Sequence, residues 1–166
     1  MKTLMVVLFL VLTVLPVQAG SDEVVLEIPS LKIRASLTVV NIEMQNGAAV
    51  WNTEQLGMKV GHLQGTPWIG QGGNTVIGGH YDFPDGSPSV FYRLNRIHLG
   101  DEILIRQDNI ETLYLVTEKK VVAYDDLSVV SQDGAERLTL LTCSGYDANS
   151  GQFMNRLVII ATPVAG

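Results

Sequence analysis

Short apolar runs rich in Val, Ile, Leu and Thr recur along this chain, and Gly, Pro, Asn and Asp separate them. This pattern is typical of many short strands joined by turns. The regular spacing of the runs favours a single mostly β domain that closes, wholly or partly, into a barrel. The predicted strands are Val24–Ile28, Lys32–Val40, Thr75–Gly79, Glu102–Arg106, Thr112–Val122, Arg137–Cys143 and Arg156–Thr162.

Two of these segments, Arg137–Cys143 and Leu157–Ile160, are apolar over nearly their whole length. Strands of this kind are buried on both faces, so we expect both of them in the middle of the sheet. Helix signals are few: Asn52–Gly57 predicts one short turn, and Ser89–Ile97 predicts about two turns. The glycine-rich segment Gly61–Gly73 is expected to form a long ordered loop.

The N-terminus has the order of a secretory signal peptide, with Lys2, an apolar run at Leu4–Leu15 and the small-residue end Val17–Ala19. The run is shorter than the roughly 20 residues of a spanning helix, so we predict that residues 1–19 are cleaved. An uncleaved N-terminal anchor and a buried core helix are the alternatives. Residues 20–166 are then one extracytoplasmic domain, either secreted or anchored at the outer face of the membrane. Membrane association requires that the N-terminal segment is retained.

Charge gives no indication of a nucleic-acid or lipid partner. The formal net charge is −6, and the basic residues are scattered singly apart from Lys119 and Lys120. The histidines and the cysteine lack zinc-site spacing. We expect no metal and no cofactor, because the acidic residues before the cysteine also lack EF-hand spacing. Those acidic residues are Asp125, Asp126, Asp133 and Glu136.

Cys143 is the only cysteine in the chain. A lone thiol in an exported protein pairs between chains, acts as a nucleophile, or lies buried and inert. Cys143 ends a predicted buried strand and precedes the polar loop 144–151, so the thiol would be rigidly held near solvent, where a nucleophile is useful. Asp147, if close in space, would oppose formation of the thiolate.

Two further residues are candidates for chemistry with this thiol. His80 leaves the predicted strand Thr75–Gly79 and can act as a general acid or base, although a histidine at such a position is often structural. Arg156 begins the strand after Cys143. If the two strands are neighbours, its guanidinium would lower the pKa of the thiol and stabilise an oxyanion. The other two histidines are expected on the surface or in loop packing.

The segment Thr139–Cys143 reads TLLTC, Val76–His80 reads VIGGH, and Arg156 begins the strand that follows the cysteine. Together they resemble the sortases, cysteine transpeptidases of the bacterial cell surface, whose T-L-x-T-C signature is matched at every fixed position. Gly78 departs from the family pattern, where alanine is common. The resemblance covers about residues 24–165.

The resemblance implies a closed eight-stranded β-barrel with a few short helices. It implies a transpeptidase that cuts a surface protein between Thr and Gly of a Leu-Pro-x-Thr-Gly-like sorting signal. Cys143 would form a thioacyl enzyme, His80 would transfer protons, and Arg156 would bind the oxyanion. The surface protein would then be joined to an amine acceptor, which is a cell-wall precursor or a pilin lysine.

Candidate substrate-binding residues lie beside the catalytic ones or in the loop 123–136; they are Gly79, Thr142, Leu127, Val129 and Val130. Core packing is an equal alternative for the three loop residues, and Trp51 and Trp68 are expected to cap the barrel. A secreted binding module with an inert cysteine, and a hydrolase on the same scaffold, are alternative functions. The enzyme hypothesis requires that the side chains of Cys143, His80 and Arg156 converge on one groove.

Overall fold

The computed structural model describes residues 23–164; the predicted signal peptide therefore lies outside the described residues. Strands account for about half of this range. They are β1 Val24–Ile28, β2 Ile33–Val40, β3 Ile42–Gln45, β4 Ala48–Trp51, β5 Val60–Leu63, β6 Asn74–Gly78, β7 Glu102–Gln107, β8 Ile110–Ala123, β9 Arg137–Asp147 and β10 Gln152–Pro163. Eight of them close a barrel in the order β1-β2-β5-β6-β9-β10-β8-β7, whereas β3 and β4 form a separate hairpin.

The expected mostly β, closed eight-stranded barrel is confirmed. The helices within residues 23–164 are short 3-10 helices at Pro29–Leu31, Leu94–Arg96 and Leu127–Val130. None of the helices in the described part of the chain has the length and apolar character needed to cross a membrane. All seven predicted strands are present, although β9 and β10 both extend into the segment that was expected to be a loop.

The structure departs from the sequence prediction in four local segments. The hairpin β3–β4 was not predicted, and β5 occupies the start of the expected loop Gly61–Gly73. A Cβ at Gly61 would collide with the side chain of Val40, so this glycine serves close packing between paired strands rather than a turn. Asn52–Gly57 forms turns instead of a helix, and Ser89–Ile97 forms turns that end in a 3-10 helix.

The hydrophobic core has two layers that share the wall made by β6 and β9. Leu138, Leu140 and Ile77 point into the barrel, where they pack in the main cluster. Successive strand residues face opposite sides, so Val76 and Leu141 point outward. There they pack in a second cluster with Val40, Leu56, Leu63, Trp51 and Val130. Burial on both faces explains why apolar residues stand next to each other at Val76–Ile77 in β6 and at Leu140–Leu141 in β9.

Strands β6 and β9 run parallel, with Gly78 opposite Leu141. Two hydrogen bonds continue the pairing beyond the last residue of β6. The Gly79 N–H donates to the Leu141 carbonyl at 3.1 Å, and the Thr142 hydroxyl donates to the Gly79 carbonyl at 2.8 Å. The backbone that follows β6 is therefore held against β9, with Gly79 fixed beside Leu141 and Thr142.

A buried polar network attaches the loop 124–136 to this wall. Asn74 is 1% exposed, and its Nδ2 donates to the Val129 carbonyl at 2.9 Å while its Oδ1 accepts from the Thr139 hydroxyl at 2.7 Å. The Asn74 N–H donates to Gln132 Oε1 at 2.7 Å, and Gln132 Nε2 donates back to the Asn74 carbonyl at 3.0 Å. The side chain and the backbone of Asn74 therefore both hold the loop against the wall.

We expect Asn74→Ala to lower the free energy of unfolding by about 1–3 kcal/mol, because it leaves buried partners without hydrogen bonds. Urea denaturation followed by circular dichroism measures this difference. Asn109→Ala, at an exposed position, is the control and should change the value by less than about 0.5 kcal/mol. Equal effects of the two substitutions would contradict the structural role assigned to Asn74.

Candidate active site

Cys143 lies inside β9 rather than at its end, because this strand continues to Asp147. The sequence prediction placed the strand end at the cysteine, since the following residues are polar. The antiparallel pairing with β10 puts Arg156 directly opposite Cys143, which confirms that the two residues return to the same level. Cys143 is a free, partly buried thiol.

His80 reaches the same level from the other side of β9. It stands two residues beyond Gly78, and Cys143 stands two residues beyond Leu141, the strand partner of that glycine. Its Nε2 lies 2.9 Å from the carbonyl oxygen of Thr53. A carbonyl only accepts hydrogen bonds, so Nε2 carries the hydrogen, and in the neutral ring Nδ1 is the nitrogen that can accept a proton.

Packing leaves the backbone at His80 little freedom. A Cβ on Gly79 would lie 2.5 Å from the ring of Phe91, and this ring is completely buried. The N–H of Phe91 donates to the His80 carbonyl at 3.0 Å. A glycine is therefore required before the histidine, because the aromatic ring occupies the space of any side chain there.

The three predicted catalytic residues line one groove of about 370 Å³, which we call the first groove. The predicted substrate-binding residues Gly79, Thr142, Leu127, Val129 and Val130 also line it. Leu127 is 66% exposed, so core packing does not explain its apolar side chain. Val130 both lines the groove and packs on the outer cluster, and the Thr142 hydroxyl is already engaged by Gly79.

The two tryptophans have different positions. Trp51, which was expected to cap the barrel, lines the first groove instead. Trp68 packs against the main core cluster, and its indole N–H donates to Gln107 Oε1 at 3.1 Å. The expectation was wrong for Trp51 because β4, which carries it, was not recognised from the sequence.

A larger groove of about 860 Å³, which we call the second groove, also reaches Cys143. Of the residues that line the two grooves, only His80 and Cys143 are common to both. The other residues that line the second groove lie within 81–95 and 144–157. Those that line the first groove lie within 49–63, 78–79, 124–130 and 141–142, together with residue 156. The thiol therefore lies where two differently built surfaces meet.

The environment of Cys143 keeps its thiol protonated. Burial raises the pKa of the Cys143 thiol; the positive charge of Arg156 opposes this rise, and the negative charge of Asp82 adds to it. Asp147, the acidic neighbour considered from the sequence, instead accepts hydrogen bonds from Asn149 and Ser150 in its own turn. The carboxylate that acts on the thiol is Asp82.

Two of the four acidic residues considered for metal binding, Asp126 and Asp133, have other partners. Asp126 accepts a hydrogen bond from the backbone of Ser128 at 2.9 Å, and Asp133 forms an ion pair with Arg137 at 2.5 Å. Among residues 23–164, no group of three or more His, Cys, Asp or Glu side chains has the arrangement of a metal site.

Sequence reasoning missed Thr53, Phe91 and Asp82 as parts of the site. Thr53 acts through its backbone carbonyl, which no residue pattern can reveal. Asp82 stands two residues after His80, so its closeness along the chain was an available signal. Phe91 contacts Gly79 across a turn-rich segment that the sequence suggested to be helical.

Comparison with known proteins extends over nearly the whole described chain. A family model described as the sortase domain matches residues 26–164. Sortase D of Bacillus subtilis (strain 168) is 30% identical over 127 residues, which are 76% of this chain and 56% of that protein. The chain therefore spans little more than half the length of this relative.

Two solved structures are similar in fold. A lid mutant of sortase A from Corynebacterium diphtheriae has a TM-score of 0.69 at 23% identity, covering 89% of this chain and 73% of the other. A sortase D5 transpeptidase from Clostridium perfringens has a TM-score of 0.66 at 20% identity, covering 87% of this chain and 80% of the other. The family match over most of the chain agrees with the barrel and with the TLLTC segment, and this chain belongs to the sortase family.

Proposed function

We propose that this protein is a cysteine transpeptidase that cleaves a Leu-Pro-x-Thr-Gly-like sorting signal between Thr and Gly and transfers the surface protein to an amine. One observation carries the proposal: Cys143, His80 and Arg156 come from three adjacent stretches of the barrel wall and line the same groove. A binding module with an inert cysteine gives no reason for this convergence. Membership of the sortase family supports the same activity.

Each of the three side chains has one role in the proposed reaction. The Cys143 sulfur attacks the carbonyl carbon of the signal's threonine, and a thioacyl enzyme forms as the amide bond breaks. His80 accepts the proton that the Cys143 thiol loses and donates it to the departing amine, and it later accepts a proton from the incoming amine. Arg156 stabilises the negative charge on the carbonyl oxygen, a role suited to a guanidinium opposite the nucleophile.

The first groove suits the apolar part of a sorting signal. The side chains of Leu127, Val129, Val130 and Trp51 line this groove. The groove therefore offers apolar contacts for leucine and proline side chains. Gly79 and Thr142 line the groove beside the reacting atoms. The Thr142 hydroxyl donates a hydrogen bond to the Gly79 carbonyl. We therefore propose that these two residues chiefly hold His80 and Cys143 in place beneath the bound peptide.

The proposed partners are extracytoplasmic. Surface proteins with a sorting signal donate the acyl group, and a cell-wall precursor or a pilin lysine supplies the amine. We retain the proposal that residues 1–19 are a signal peptide or an anchor, which would place the barrel outside the cytoplasmic membrane.

We expect Cys143→Ala to abolish cleavage of a peptide that contains Leu-Pro-Glu-Thr-Gly, because no nucleophile remains. His80→Ala should lower kcat/KM by about 10²–10⁴-fold, and Arg156→Gln by about 10²–10³-fold. Cleavage is followed by mass spectrometry with and without an added amine. Amide product in the presence of the amine supports transfer, whereas only the free acid would support a hydrolase.

His98→Ala and Arg34→Gln are matched controls, because each removes the same kind of side chain at an exposed position. Both should retain activity within about twofold. Full cleavage by the Cys143→Ala variant would refute the proposed mechanism.

A second prediction concerns the pH dependence of thiol reactivity. The pKa of Cys143 is raised, chiefly by burial, so the thiolate is a minor form at neutral pH and the rate of alkylation by iodoacetamide should still increase above pH 8. Arg156 lowers this pKa, so Arg156→Gln should move the alkylation profile to higher pH. Arg34 lies on β2, which two strands separate from β9 in the barrel. Arg34→Gln should therefore leave the alkylation profile unchanged. A wild-type transition well below pH 6 would contradict this prediction.

A further inference from the structure

The second groove has a wall of four aromatic rings in contact with one another. Tyr81 lies 4.9 Å from Tyr92 and 5.7 Å from Phe153, and Tyr146 lies 5.3 Å from Phe153, measured between ring centroids. Tyr146 is 61% exposed and Tyr92 is 38% exposed. A continuous aromatic surface that remains open to solvent beside a reactive thiol is typical of a binding site.

Asp82 is the ionisable group that distinguishes this groove. Within residues 23–164 the Asp82 carboxylate makes no hydrogen bond and no ion pair. Asp85 and Asp147 belong to the two segments that form the groove. Both of them accept hydrogen bonds within their own turns. No lysine or arginine lines the groove in the described part of the chain. Asp82 is therefore the one carboxylate that lines the second groove in the described part of the chain, and it has unused acceptor capacity.

The field of Asp82 extends to the reacting sulfur, because its charge contributes to the raised pKa of Cys143. A carboxylate that only made the nucleophile weaker would be a disadvantage for an enzyme. The same charge attracts a cation to the place where the second reactant must arrive. Aromatic faces also attract cations and contact the methylene groups of an alkyl chain.

We propose that the second groove is the acceptor site and that Asp82, with the four aromatic rings, selects an alkylammonium, the chemical class of a lysine side chain. The inference rests on the proposed transpeptidase function and specifies its second substrate. The acceptor enters as an ammonium ion, with its head at the Asp82 carboxylate and its methylene chain against the rings. The sorting signal occupies the first groove, and the two substrates meet at Cys143.

The transfer step consumes the thioacyl enzyme and one acceptor amine. The acceptor nitrogen forms a bond to the thioacyl carbon, and the carbon–sulfur bond breaks with its electron pair remaining on sulfur. The ammonium loses two protons: one is released to solvent before attack, and the other passes through His80 to the sulfur of Cys143. The products are an amide and the free thiol, so no co-reactant is needed.

The partition of the thioacyl enzyme between amine and water tests the proposal. We expect Asp82→Asn to lower the ratio of amide to acid product about tenfold when Nα-acetyl-lysine methylamide is the acceptor, since a charge-assisted contact is lost. With hydroxylamine, which is uncharged at neutral pH, the ratio should change by less than about twofold. The ratio is set after Cys143 has reacted, so an altered thiol pKa does not affect it.

Asp85→Asn is the matched control. It removes the same charge from the same loop, and an asparagine oxygen can still accept the hydrogen bonds of the turn. This variant should keep the wild-type ratio with both nucleophiles. Asp82→Glu should retain most of the preference for the lysine derivative, and higher ionic strength should weaken that preference in the wild-type protein.

A second measurement needs no sorting signal. The lysine derivative should slow alkylation of Cys143 by iodoacetamide in the wild-type protein but not in Asp82→Asn. A wild-type protein that cleaves no peptide contradicts the proposed function, and this protection assay still decides whether Asp82 holds an ammonium. Three results would overturn the inference. The first is an equal loss of transfer to both nucleophiles in Asp82→Asn, and the second is transfer to triglycine that equals or exceeds transfer to the lysine derivative. The third is protection that does not depend on Asp82.

Discussion

The parallel pairing of β6 and β9 is the constraint on which the rest of the site depends. Both strands are buried on two sides, by the barrel interior and by the outer cluster, so neither can slide by one residue without exposing an apolar face. Because the strands run in the same direction, the backbone that follows β6 brings His80 to the level of Cys143, which lies within β9. Hydrophobic burial thus sets the geometry of two polar side chains that make no contribution to the core.

The parts of the structure that depend on local pattern were predictable from the sequence. Apolar strands such as Arg137–Cys143 and the return of Arg156 to the level of the cysteine follow from side-chain type and spacing alone. The hairpin β3–β4 was missed because its strands are short and mostly exposed, and β5 was missed because its glycine suggested a loop. The tertiary contacts of Gly61 and Gly79 leave no trace in the sequence beyond the glycines themselves.

The candidate site combines opposing electrostatic effects. Burial and the charge of Asp82 stabilise the neutral thiol, and Arg156 stabilises the thiolate. A neutral thiol resists adventitious oxidation and alkylation better than a thiolate, since the thiolate is the reactive form. This arrangement suits the proposed mechanism, in which the one cysteine of the chain would stay protected until a bound peptide excludes water and His80 is placed for proton transfer.

The two grooves meet only at His80 and Cys143, and separate loops build their remaining walls. Residues of the loop 124–136 line only the first groove, and residues of the segments 81–92 and 144–153 line only the second. Such a division would allow the linings of the two grooves to diverge separately during evolution while the strands between them stay constant. It also makes the scaffold suited to recombination, in which loops from different relatives are combined around one unchanged pair of reactive side chains.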